Sequence, residues 1–353
     1  MKNIKKNSFF VTLAAVIIVV YVIFAVKPLN EEFHFIPVWK IDVSNPPVSK
    51  NEDNQKTFPF KLMQTLGYFT EDGKVTVFKT YPYKASISDT FFASYRENNS
   101  SCDFYTPEEK KAGTISEKGF PMFDQDRIFV FLPGGSSFVR LSQEGKRLWE
   151  FESSSPITAF DSSRAGNAAG FADGSITQFS PEGSIVQQFS PGGSEFNIIS
   201  GVAISNNGNF IASVSGQNKE RFVLAKKEDA HSKIVFHEFT DHSRPYQKLV
   251  KFSADDSKVY YDFDGKLGIV DTEKYSSRHI KIKGQAISIR ESDLCVFVLT
   301  KEGENYTVYV LEKNSSLVGK FSYQANASFI QTDENSLYIG KDSSISKINI
   351  VKR

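Results

Sequence analysis

The sequence predicts an all-β fold, a single β-propeller, and three observations carry that prediction. First, one unit recurs down the chain: an apolar anchor, a short turn rich in Asp, Asn and Ser, then a return to apolar residues. Its anchors are Phe123, Phe160, Ile204, Phe252, Ile289 and Ile330, spaced by 37 to 48 residues. A period of about 40 with several short strands per unit suits a propeller blade. Second, Asp72-Gly73, Glu144-Gly145, Asp173-Gly174 and Glu182-Gly183 separate alternating or apolar runs, which is the hairpin signal. Third, the chain has 32 Phe and 14 Tyr and no long helical periodicity, a composition that favours strands.

The elements follow in order. Residues 1–8 are a basic tail with Lys2, Lys5 and Lys6. Residues 9–26 are 18 residues without a charge, at the short end for a transmembrane anchor. The basic flank then predicts a single-pass membrane protein, with a cytoplasmic N-terminus and a periplasmic or otherwise extracytoplasmic propeller. A cleaved signal peptide is the competing reading. The length of the apolar core and the Ile in Ile23-Phe24-Ala25 speak against it. Residues 27–32, with Pro28, are a juxtamembrane linker, and 33–353 are the propeller. The repeats fall at 57–95, 118–154, 156–192, 197–240, 245–283, 285–323 and 325–352. That predicts seven four-stranded blades, with eight as the alternative because the first unit repeats poorly. The last unit has room for about three strands. The strand at 33–43 could supply the fourth and close the ring, which removes exposed sheet edges.

Composition excludes several classes. Forty-two basic and 41 acidic residues give a net charge of +1, so nothing electrostatic points to nucleic acid. Cys102 and Cys295 form neither a metal-ligand spacing nor a C-x-x-C pair. Cys295 reads as a buried strand residue and Cys102 as part of a polar loop. A disulfide between them would need an oxidising compartment and proximity that spacing cannot establish.

Two stretches carry a resemblance. Phe138-Val139-Arg140-Leu141-Ser142-Gln143-Glu144-Gly145-Lys146-Arg147-Leu148-Trp149-Glu150-Phe151 is a strand, a Gly turn and an outer strand with Trp. Ser175 to Phe189 repeats it with Gln188 in the Trp place. These resemble the repeats of the pyrroloquinoline-quinone-like propeller family. Ala203 to Ser215 is more similar to the WD40 group, although the Gly-His and Trp-Asp pairs of true WD40 repeats are absent. The resemblance covers most of 118–350 and implies architecture. The family includes quinone dehydrogenases and a non-enzymatic outer-membrane assembly lipoprotein. The stacking tryptophans and vicinal Cys pair of a quinone site are missing, as is a lipid-bearing Cys after the apolar run, so no cofactor is expected.

The chemistry-bearing residues are few. His231, His237 and His242 could ligate a metal ion, but a six-residue separation on a strand is about 20 Å, so no metal site is expected. Asp262-Phe263-Asp264-Gly265 resembles the start of a Ca²⁺ loop but lacks the later oxygen ligands, and reads as a hairpin turn. Asp255-Asp256 and Glu108-Glu109 read as solvated turn carboxylates. No catalytic motif appears. The best site candidate is 96–118, which reads as an insertion between the first two units. Phe104 and Tyr105 are its expected partner anchors, with Glu108 and Lys110 beside them. The expectation is a non-enzymatic, membrane-tethered scaffold for protein partners in the cell envelope. The alternative is a propeller enzyme (hydrolase, lyase or oxidoreductase) or a ligand sensor with its site at the central channel.

Overall fold

The computed structural model describes residues 32–352 except 53, 97–100, 218, 230, 241–245, 264 and 314, together with Ile18, Val20 and Tyr21. The described residues form eight antiparallel sheets. Blade 1 (57–80) has three strands. Blades 2 (84–115), 3 (120–152), 4 (157–189), 5 (199–239), 6 (250–281) and 7 (285–324) have four each, every strand pairing with the one before it in sequence. Blade 8 combines three C-terminal strands (328–352) with Phe33–Asp42, which pairs antiparallel with Ser344–Lys352. The first strand of the domain is thus the outermost strand of its last blade.

Eight blades correct the expected seven. The segment read as an insertion is the outer half of a blade. Cys102–Tyr105 and Lys111–Ile115 pair with each other, inside the sheet that begins with Lys84–Ile87 and Phe92–Tyr95. These strands have only four or five residues, too few for a clear alternating pattern. Cys102 accordingly lies in a strand, and both cysteines are buried and free. The Asp262 turn joins two paired strands, Lys258–Phe263 and Lys266–Asp271.

The expected membrane helix is also corrected. Among the described residues, no helix is long and apolar enough to cross a membrane. The anchor at 9–26 falls outside the described residues except for Ile18, Val20 and Tyr21, so the topology drawn from it is not carried forward.

The hydrophobic core lies between blades. Phe160, on the innermost strand of blade 4, packs edge-on against Phe129 and Phe138 of blade 3, with centroids 5.0 and 5.2 Å apart. Phe222 of blade 5 stacks on Tyr261 of blade 6 at 3.7 Å. Each such ring contributes roughly 2–3 kcal/mol by leaving water. The outer edges are joined by a second device. Trp149, on the outermost strand of blade 3, donates Nε1–H to Pro181 O at 2.9 Å, in the turn between the last two strands of blade 4. Its ring covers Gly183, where an added Cβ would lie 2.5 Å from Trp149 Cγ. Trp39 does the same across the ring closure, donating to Glu71 O at 3.1 Å and covering Gly73.

Those contacts fix the polarity of blade 1. The turn after Thr65–Thr70 receives Trp39 as the turn before the last strand of blade 4 receives Trp149. Lys79, on Val75–Thr80, in turn reaches Glu109 in the corresponding turn of blade 2, at 2.5 Å. The three strands of blade 1 therefore have the direction of the second, third and fourth strands of its neighbours, although Thr57–Leu62 packs directly on the innermost strands of both. Thr57–Leu62 consequently runs opposite to the innermost strands beside it. Lys56, at its start, pairs with Asp333 at the end of Ser328–Asp333. Lys61, near its end, donates to Ala85 O near the start of Lys84–Ile87 at 2.6 Å.

Candidate functional site

The recurrent polar turns are blade-to-blade locks. Each follows an innermost strand, so together they ring one face, called here the turn face. Ser88 donates to Gln125 O (2.6 Å), Ser162 to Asp124, and Ser163 to Ser205 O (3.0 Å). The carboxylate of Asp256 accepts N–H bonds from Asn206 and Asn207 at 2.8 and 2.9 Å. Glu291 accepts from Ala254 N–H and from Thr332 Oγ1. Tyr68 Oη to Ser88 O and the Lys56–Asp333 pair join blade 1 to its two neighbours. Asp256 was expected to be a solvated turn carboxylate. It is instead buried, because two backbone donors replace its water.

Inside this ring a cavity of about 1000 Å³ is lined by blades 3 to 8. Charged side chains reach it from four innermost strands: Asp124, Asp161, Lys251 and Arg290. Enclosure in protein pushes the Asp161 carboxyl up to about 7. Neighbouring Asp124 adds to the rise, and the Ile204 N–H at 2.9 Å and Lys251 oppose it. Burial likewise pushes Lys251 down to about 8, with Arg290 reinforcing the shift. Lys251 donates to Ile289 O at 3.0 Å, and Arg290 donates to Gln331 Oε1 at 2.9 Å. Asp124 is held by Arg127 at 2.7 Å. The lumen thus mixes both signs of charge, an arrangement able to hold a small dipolar or ionic group.

The opposite face carries the starts of the innermost strands and the ends of the outermost ones. It displays Tyr83, Phe120, Phe196 and Phe239, exposed by 54, 38, 67 and 36%. Three of these rings sit against cations. Arg96 lies 4.3 Å from Tyr83, Lys84 lies 4.5 Å from Phe120, and Lys219 lies 4.8 Å from Phe239. Beneath this face Lys248 and Glu220 form an ion pair at 3.2 Å, with both side chains almost fully buried.

The four expected partner residues separate. Phe104 is fully buried, edge-on to Phe91 at 5.3 Å. Tyr105 is half-buried and stacks on Phe92 at 5.6 Å. Glu108 and Lys110 are exposed in the turn at 106–110, on the turn face. His231 and His237 lie on the outermost strand of blade 5, His231–Phe239, while His242 lies outside the described residues. Among the described residues no group of three or more metal-ligating side chains forms. The sequence reading missed the lumen charges. Their signal was available: in Phe123-Asp124, Phe160-Asp161, Lys251-Phe252 and Ile289-Arg290 a charge sits next to the repeat anchor. Alternation along a strand sends it away from the anchor's side.

Comparison with known proteins agrees with the ring. A Treponema pallidum (strain Nichols) protein described as uncharacterized is 27% identical over 361 residues, spanning 99% of this chain and 96% of that protein. The crystal structure of BamB from Moraxella catarrhalis superposes with a TM-score of 0.58 over 90% of this chain and 100% of that one. Its identity is 10%, so the likeness is one of fold. Residues 1–353 match the family described as beta-propeller protein, and the chain belongs to that family.

Proposed function

We propose that this propeller is a non-enzymatic platform that binds protein partners through the face carrying Tyr83, Phe120, Phe196 and Phe239. One observation carries the reading: large rings stand exposed on a rigid ring of blades, and three of them are held by a Lys or Arg. Exposed aromatics with neighbouring Arg have the composition of interaction hot spots. The cations orient the rings and give the surface a preference for acidic segments. The two tryptophans, each docked on the Gly of a neighbouring turn, support reading the repeats as nearer the pyrroloquinoline-quinone-like group than the WD40 group.

A second reading rests on the lumen. Asp161, poised near neutrality beside Lys251, suits a small-ligand sensor or an enzyme with its site in the channel. A crosslinking pull-down separates the two. Full-length protein is compared with Tyr83→Ala/Phe120→Ala and with Asp161→Asn/Lys251→Met. A discrete partner lost only in the aromatic variant supports the platform. A partner kept in that variant, with small-molecule binding lost in the lumen variant, overturns it.

A further inference from the structure

We propose that a cleft between blades 3 and 4, at their turn-face end, binds a small carboxylate between the guanidinium groups of Arg140 and Arg164 and the side-chain amide of Asn167. This goes beyond the reading above, since it uses neither the aromatic face nor the lumen. Alternation brings the groups together. Arg140 follows Phe138 by two on the third strand of blade 3, and Asn167 precedes Ala169 by two on the second strand of blade 4. Phe138 and Ala169 belong to the apolar core between these two blades. Arg140 and Asn167 therefore point into the same gap, where it opens to the turn face. The interface between blades 4 and 5 shows such a place filled from within. There Gln178 stands two after the buried Ile176, as Arg140 stands to Phe138. It donates to Gly208 O in the next blade's turn at 3.0 Å and accepts from Gln187.

Arg140 does not reach across in this way. Its Nη1 folds back onto Ile128 O and Leu141 O of its own blade, and its guanidinium lies 4.9 Å from the Phe129 ring. What remains is a cavity of about 230 Å³, walled by Arg140 and Asn167, with Arg164 and Asp126 at its exposed rim. Asn167 is 1% exposed, and its Nδ2 has no hydrogen-bond partner among the described residues. A buried amide donor without a partner is costly, and an acceptor in the cleft removes that cost. Burial, reinforced by Arg127, pushes Arg140 down to about 10 against the opposing pull of Asp126 and Asp124. Its charge is thus incompletely balanced within the protein. Arg127 is engaged by Asp124, and Asp126 accepts from Gln143. Arg140 and Arg164 set against Asp126 leave the cleft a single positive charge. That suits a monoanion with two oxygens for the arginine forks, a carboxylate and not a phosphate dianion.

The test follows the indole N–H signals of full-length protein, isotope-labelled at tryptophan nitrogen, by NMR. Trp149 lines the cleft, while Trp39, the other tryptophan, lies across the ring closure and serves as control. The Trp39→Phe variant assigns the two signals. Sodium acetate, at constant ionic strength, should shift the Trp149 signal saturably and leave Trp39 in place. Acetamide, of the same shape without the charge, should do neither. Arg164→Gln, at an exposed position, should weaken acetate binding about tenfold, and Arg140→Lys, which keeps the charge but not the fork, should weaken it similarly. The peptide acetyl-Gly-Glu-Gly-amide separates the sources: a shift like that of acetate assigns the cleft to an acidic side chain of a partner, and exclusion of the peptide assigns it to a free small acid. An acetate shift that is absent, shared by both indoles, matched by acetamide or unchanged in Arg164→Gln would overturn the proposal. So would tighter binding of inorganic phosphate than of acetate at pH 8.

Discussion

Replacing Asp161 with Asn should raise stability at alkaline pH and leave it almost unchanged in acid. The carboxyl moves from 3.8 in the unfolded chain to about 7 in the native lumen. That shift is worth about 4 kcal/mol. The lumen admits water, so about 2 kcal/mol is the expected observable share. The native state binds this proton more tightly than the unfolded chain does. The penalty is therefore absent below 3.8, grows between 3.8 and 7, and is complete above 7. Asn keeps an oxygen able to accept the Ile204 N–H, so the hydrogen bond is not the variable.

The assay is urea unfolding of wild type and variant at pH 3.0 and pH 8.5. The variant should be more stable by about 2 kcal/mol at pH 8.5 and within error of wild type at pH 3.0. Lys251→Met provides the opposite sign. Lys251 falls from 10.5 to about 8 in the native state, so its penalty is complete below 8 and fades above it. That variant should gain stability near pH 6 and lose the advantage towards pH 10. An Asp161→Asn effect of equal size at both pH values would refute the reasoning, as would destabilisation at pH 8.5.

Four further outcomes are expected. Trp149→Ala should cost about 3 kcal/mol of unfolding free energy, because the ring stacks on Phe179 at 5.7 Å and bonds Pro181 O. Gly183→Ala should cost more than Gly192→Ala in the same denaturation assay: both have positive φ, but only Gly183 lies under a ring. Breaking the buried pair with Lys248→Met alone should cost about 3–5 kcal/mol, whereas Lys248→Met/Glu220→Leu should recover most of it, read as a double-mutant cycle. Burial pushes both thiols up to about 11. Cys102 and Cys295 should therefore resist a thiol reagent at pH 8 until the protein is unfolded.

The repeat was legible because its most regular part, the polar turn after the innermost strand, has a demanding job. Each such turn must bond to the next blade, so Ser, Asn and Asp recur at fixed places in Ser162-Ser163, Ser205-Asn206-Asn207 and Ser253-Ala254-Asp255-Asp256. What periodicity could not show was blade 2, whose four-residue strands carry too few alternations to register. The same shortness made Phe104 and Tyr105 look like ornaments of a loop. Both are apolar residues of a real strand, and burial claims apolar strand residues before partners do. Glu108 and Lys110 stayed at the surface because they occupy the turn and not the strand.

Blade 1 shows a deeper limit. Tyr68 to Phe78 resembles Phe171 to Phe179, with an aromatic strand and an Asp-Gly turn, and sequence similarity alone equates the two hairpins. Their places in the ring differ. Gly174 joins the second and third strands of blade 4, whereas Gly73 lies under Trp39 in the place that Gly183 has under Trp149. A hairpin is the same local object wherever it sits in a blade, because turn chemistry and alternation depend only on nearby residues. Its position is set by what docks on it from the neighbouring blade, and that information lies more than 30 residues away, in Trp39. In blade 1 itself the docking position holds Lys79, with Glu109 as its partner. A salt bridge there replaces an indole, so matching repeats by residue type passes over the contact that reveals the direction of blade 1.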